Sequence, residues 1–303
     1  KWFDTNYHYL VPEPDAGQQF HLRDNKPLRE FLEAKAAGFK ARPVLLGPVS
    51  FLKLAKTTDG SDALALLERL LPIYAEVLAS LRDAGADWVQ LDEPCLVLDL
   101  DAASRAAYQR AYAVLAQGPR PQLLLATYFG ALDDNLALAA GLPVDGLHID
   151  LVRGLAQLDA VLRALPAART LSLGLVDGRN IWRSDLDKAL VLARHARSVV
   201  GGDRLWLAPS CSLLHVPVDL TLEKALDPEL RSWLAFARQK IEELRLLGDA
   251  LADRAEAEAG LAQARTALQS RRESPRVHRP AVKARLAALG ADDARRHAPH
   301  ARR

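Results

Sequence analysis

The sequence predicts an α/β fold in which parallel strands, each followed by a helix, form an eight-stranded barrel that lacks its first strand. Three observations carry that expectation. Short apolar runs bounded by Gly, Pro or Asp recur at residues 2–11, 44–51, 88–91, 123–128, 147–152, 171–176 and 205–208, as buried strands do. The stretches between them put leucines at helical spacing, as in ALALLERLLPIYAEVLASLRDAG up to Gly85, and are long enough for the crossover that a parallel return needs. Finally, polar residues gather where the runs end: Glu13, Ser50, Asp92, Glu93, Thr127, Asp150, Asp177 and Ser210. Chemistry at the C-terminal ends of all strands is the habit of a closed barrel. An open doubly wound sheet concentrates it at one switch point, and no GxGxxG follows the first run.

Composition limits what such a fold can do. The 303 residues are 50% hydrophobic and 26% charged, enough for one large core plus an appendage. Net charge is +2, from 40 Lys+Arg against 38 Asp+Glu, so no bias toward nucleic acid or membrane follows. Basic residues bunch beyond Arg271 and read as a solvated tail. No apolar run reaches the roughly 18 residues of a membrane span, and no signal peptide opens the chain. Cys95 and Cys211 lie in no CxxC spacing, which excludes a disulfide scaffold and suits a reducing, cytoplasmic compartment. Methionine is absent, even at position 1. The chain therefore reads as cut from something longer, with the missing strand expected upstream of Lys1. The barrel is expected over residues 1–247. From Pro228 an Ala/Leu/Glu/Arg-rich stretch favours helix at almost every position, and residues 248–290 are expected to form a helical interdomain segment. Residues 291–303 read as a tail leading to a further domain.

Several stretches carry candidate chemistry. The opening KWFDTNYHY is crowded with polar groups for a strand. Alternation puts Phe3, Thr5, Tyr7 and Tyr9 on one face and Asp4, Asn6 and His8 on the other. Either a hydrogen-bonded network filling the interior or a ligand site fits that pattern. Lys1 suits an anionic ligand as a point charge. Asp92 and Glu93 are neighbours on a strand and point to opposite sides, so they cannot form the paired acid and base of a glycosidase. His148 and Asp150 share one strand face, which fits a satisfied core histidine better than a metal pair. Gly178 is expected to take a positive φ, with Asp177 and Asn180 as caps for a helix starting near Ser184. Cys211 and His215 have a C-x3-H spacing, but no second cluster completes a metal shell. No Walker loop, nucleophile elbow or HExxH occurs.

The strings KWFDTNYHYLVPE, LLGPVSFLKLAK, WVQLDEPCLVLDL, LVDGRNIWRSDL and LAPSCSLLHVPVDL resemble, in order, the N-terminal half of cobalamin-independent methionine synthases. Those are 5-methyltetrahydropteroyltriglutamate–homocysteine methyltransferases. The resemblance implies a TIM-type (βα)8 barrel joined by a helical segment to a second, catalytic barrel. It implies methyl transfer from 5-methyltetrahydropteroyltri-L-glutamate to L-homocysteine, with zinc and no cobalamin. It places zinc and homocysteine in the second barrel, so neither is expected on this chain, which alone is expected to be inactive. Lys1 matches the family lysine that contacts the folate polyglutamate tail. Cys211 matches a cysteine ligand of the catalytic barrel and reads here as a vestige. Two rival readings stay open: a stand-alone, non-catalytic binding module, and an independent barrel enzyme using Asp92 or Glu93 with the His148/Asp150 pair.

Overall fold

A computed structural model describes residues 1–3, 5 and 7–296. Asp4, Asn6 and residues 297–303 of the expected tail lie outside the described residues. Six strands form one sheet: β1 (Val44–Leu46), β2 (Trp88–Asp92), β3 (Gln122–Ala126), β4 (Gly146–Asp150), β5 (Thr170–Val176) and β6 (Leu205–Pro209). They lie side by side in chain order and every pairing is parallel. Before β1 lies α1 (Lys26–Ala36), and the helices between strands are α2 (Pro48–Leu54), α3 (Leu67–Asp83), α4 (Ala102–Gln117), α5 (Leu136–Gly141), α6 (Leu158–Ala164) and α7 (Leu186–Val200). After β6 follow α8 (Pro228–Ser232), α9 (Ala237–Leu251), α10 (Ala257–Glu273) and α11 (Pro280–Ala287).

Strand alternation sorts the side chains into two faces. Val89, Leu91, Leu123, Leu125, Leu147, Ile149, Leu171 and Leu173 share one continuous core with helical residues such as Leu78, Leu81, Tyr108, Tyr112, Val161 and Ala193. The other face carries Trp88, Gln90, Asp92, His148, Ser172 and Trp206. The rings of Trp88 and Trp206 meet at 4.7 Å, although β3, β4 and β5 separate their strands. On a flat sheet four strand spacings would hold them about 19 Å apart. The sheet is therefore curled, with its helices outside and an aromatic, polar interior. That is the barrel arrangement rather than the doubly wound one.

Two expectations need correction. Among the described residues of the opening run (2, 3, 5 and 7–11) none is in a strand, so the described residues hold six strands against the seven expected. Trp2 N–H donates to the Tyr7 carbonyl at 2.7 Å and Thr5 N–H to the Trp2 carbonyl at 3.1 Å, with Phe3 at a φ of 50°. These local turn bonds occupy backbone groups that a ladder would need. The segment is a strap across the rim: the Tyr9 hydroxyl donates to the Leu54 carbonyl at 3.1 Å and that of Tyr7 to the Leu214 carbonyl. The second correction concerns the stretch after Pro228, whose helix is interrupted. Trp233 to Phe236 are buried and pair with the loop after β5: Arg183 N–H donates to the Trp233 carbonyl at 2.9 Å and Ala235 N–H to the Ile181 carbonyl at 2.8 Å. Tertiary pairing overrides helix propensity there. Beyond it, Leu247, Ala250, Ala257, Leu261 and Ala264 extend the main core. No described helix is long and apolar enough to cross a membrane.

Candidate functional site

The junction of β1 and β2 frames the rim. Gly47 N–H donates to the Asp92 carbonyl at 2.7 Å, and Pro48 then starts α2, where its missing N–H costs nothing. The fully buried Glu93 carboxylate fills the space beneath that helix start. One oxygen accepts from Val49 N–H at 3.3 Å and the Tyr112 hydroxyl at 3.2 Å. The other accepts from Ser50 N–H at 2.8 Å and the Tyr108 hydroxyl at 3.2 Å. A Cβ on Gly47 would stand 2.1 Å from Glu93 Oε1, so only glycine fits. Burial pushes the carboxyl up to about 7 against the pull of these hydrogen bonds.

Asp92 turns the opposite way, into a cavity of about 710 Å3 inside the curl. It accepts from Gln90 Nε2 at 2.8 Å and the Tyr128 hydroxyl at 3.1 Å. Burial raises it to about 6. Arg42 lines the same cavity, its guanidinium 5.2 Å from the Trp206 ring centre. His148 also lines it, with Nδ1 2.9 Å from Ser172 Oγ and Nε2 3.4 Å from the Ser210 carbonyl. A carbonyl only accepts, so Nε2 carries the proton and Nδ1 accepts from the serine. Burial lowers His148 to about 4, leaving it neutral near pH 7. Trp2, Tyr7, Tyr9 and Leu214 form the mouth.

Asp150 stays outside this cavity. It accepts from Phe129 N–H at 3.0 Å, Val152 N–H at 2.8 Å and Arg153 N–H at 2.9 Å, holding two rim loops together. Phe129 sits at a φ of 76°, a strained backbone for a side chain of its size, beside the Phe3 and His215 rings. Asp177 closes its own turn, accepting from Arg179 N–H at 2.8 Å and Asn180 Nδ2 at 2.6 Å. The cap of α7 is Asp185 instead, which accepts from Lys188 N–H. Gly178 does not take the positive φ expected of it; the glycines that do are Gly38, Gly60, Gly85 and Gly201. Its reason is close approach, since a Cβ there would lie 2.8 Å from both the carbonyl oxygen and the sulfur of Cys211. Lys1 is exposed, one residue from Trp2 at the cavity mouth. Gln90 was missed, although its place two before Asp92 on the same strand puts it on the same face. Tyr128, just past the β3 end, and Arg42, before β1, carried no sequence signal.

The residues here do not fit the zinc that the resemblance implies for the full-length enzyme. Burial pushes the Cys211 thiol up to about 12, away from the thiolate a zinc ligand must be. His148 spends both nitrogens on Ser172 and Ser210. Among the described residues no three His, Cys, Asp or Glu side chains are placed to share a metal ion.

A curled, all-parallel βα sheet with its polar groups at the strand ends defines an α/β domain of the barrel type. Solved structures agree on the fold. A methyltransferase from Methanosarcina mazei superposes with a TM-score of 0.57 at 16% identity, over 80% of this chain and 71% of that one. A putative vitamin-B12 independent methionine synthase from Listeria monocytogenes gives 0.54 at 17% identity, over 75% and 68%. Among curated sequences, the 5-methyltetrahydropteroyltriglutamate–homocysteine methyltransferase of Xylella fastidiosa (strain M23) is 65% identical across the whole chain. Its counterparts in Chelativorans sp. (strain BNC1) and Caulobacter vibrioides are 58% and 54% identical. This chain spans about 40% of the length of these relatives. Residues 1–201 match the family described as "Cobalamin-independent synthase, N-terminal domain". The chain belongs to that family.

Proposed function

We propose that this chain serves a 5-methyltetrahydropteroyltriglutamate–homocysteine methyltransferase as the domain that receives the folate's polyglutamate tail and supports the catalytic part. The observation that carries the reading is 65% identity, over 303 residues, to a relative of that name. In that reaction the methyl group would pass from N5 of the folate to the sulfur of homocysteine, and a zinc ion held by the catalytic part, not by residues of this chain, would supply Lewis-acid stabilisation of the homocysteine thiolate. The present residues take no part in that step. Their contribution is charge and position: Lys1 is an exposed cation beside the aromatic strap, and a triglutamate tail is a row of carboxylates.

The rival reading, an independent enzyme using Asp92 or Glu93 with the His148/Asp150 pair, keeps only part of its residue set: Asp92 and His148 line one cavity, while Glu93 is sealed under α2 and Asp150 is spent on rim-loop N–H groups. Calorimetric titration of tri-γ-glutamate into the chain at low salt tests the proposal. Saturable binding that weakens at least fivefold in Lys1→Gln is expected, with no methyl transfer by the chain alone. Turnover with stoichiometric zinc, or tail binding indifferent to Lys1→Gln, would sink it.

A further inference from the structure

We infer that α10 and the joint after it form a detachable clasp on the rim loop that follows β5, released by ionic strength. Packing under α10 is thin. It buries Ala257, Leu261, Ala264 and Ala267, a single leucine among alanines, against α7 and α9. Two cavities flank it, one of about 460 Å3 lined by Trp182, Leu268 and Arg271, the other of about 320 Å3 lined by Gln263 and Ser270. Both are clefts open to solvent, so the flanks of the helix are only partly covered.

Charged contacts add to that small apolar seam. Arg265 grips Asp187 with two bonds of 2.8 and 2.9 Å. Arg276 does the same to Asp227 at 2.6 and 3.0 Å and lies 3.2 Å from Glu229. Arg272 reaches Asp185 at 3.6 Å, and the Arg271 guanidinium stands 4.3 Å over the Trp182 ring. Trp233 Nε1 donates to Ser270 Oγ at 3.0 Å. The ion pairs are half-exposed, so salt screens them: the Debye length falls from about 10 Å at 0.1 M to about 3 Å at 1 M. Both ends of α10 are non-helical joints, residues 252–256 with Asp253 at a φ of 54° and residues 274–279. The helix can thus leave as a unit. What it would uncover is specific. Trp182 belongs to the loop that begins at Asp177, and its carbonyl accepts from the buried Lys240 at 3.1 Å. Opening the clasp loosens the rim on the Cys211 side while the Glu93 side stays closed.

Hydrogen exchange by mass spectrometry on the intact chain tests this at 0.05, 0.3 and 1 M NaCl. Amides of residues 257–273 are expected to exchange about tenfold faster at the highest salt, with β2, β3 and α3 unchanged. The double variant Arg265→Gln, Arg276→Gln should show that fast exchange already at 0.05 M. Tryptophan emission should shift red in parallel, from Trp182 and Trp233. Salt-independent protection of α10, or a rise shared by every helix, would overturn the inference. If the variant fails to fold, the salt series on the unaltered chain decides alone.

Discussion

Asp92 and Glu93 are consecutive residues with opposite surroundings. Glu93 sits outside the curl with four donors, two backbone and two phenolic, and no exposure. Asp92 sits inside with two donors and an adjoining cavity. Strand alternation alone separates them. One carboxylate is spent on architecture, and the other keeps capacity for something that enters. Acidity in a strand-end motif therefore says little until the face is known.

Gly47→Ala should break the closed side outright. Its Cβ would stand 2.1 Å from the buried carboxylate, and urea unfolding should register a loss of about 3 kcal/mol or more, or no folding. A fully stable alanine variant would mean Glu93 can move, and the contrast with Asp92 would collapse. Glu93→Gln should cost about 1–3 kcal/mol. Each Glu93 oxygen receives one backbone N–H, and the amide nitrogen cannot accept, so one buried donor is orphaned. The same unfolding measurement at pH 7 checks it; an unchanged midpoint would show that water replaces the lost acceptor.

Asp92 gives the smallest effect, and it appears as a pH slope. Its carboxyl is held up at about 6 from an ordinary 3.8, mainly by burial. Between those values the folded protein keeps a proton that the unfolded chain has released. Stability from this group is therefore fully present below pH 3.8 and is lost as pH rises through 6. From about pH 5 to about pH 7 the fall is about 1 kcal/mol, since one pKa unit is worth about 1.4 kcal/mol. Asp92→Asn should flatten the curve by that amount relative to the unaltered chain. Parallel curves for the two proteins would show that Asp92 is solvated rather than held.

Much of this was legible in the sequence where period and spacing speak for themselves. The runs starting near residues 44, 88, 123, 147, 171 and 205 all became strands, because each is flanked by a helix with one apolar face. The run at 44–51 was read too long: Gly47 and Pro48 end β1 and open α2. The opening aromatic run has strand composition but finds no ladder, and composition cannot reveal whether a partner edge is available. The basic residues from Arg271 onward look solvated by charge alone, yet Arg271, Arg272 and Arg276 meet Trp182, Asp185 and Asp227; such pairings need coordinates. Arg42 entered the cavity unannounced for the same reason.

The sheet ends in two strands, β1 and β6, each with a neighbour on one side only. Open margins of this kind invite another molecule's backbone to zip on, the route by which sheets grow into aggregates. Here the first margin runs for three residues and the second closes on Pro209, which has no N–H to offer a newcomer. The short first margin and the proline at the end of the second both limit the ladder that a foreign backbone could form there.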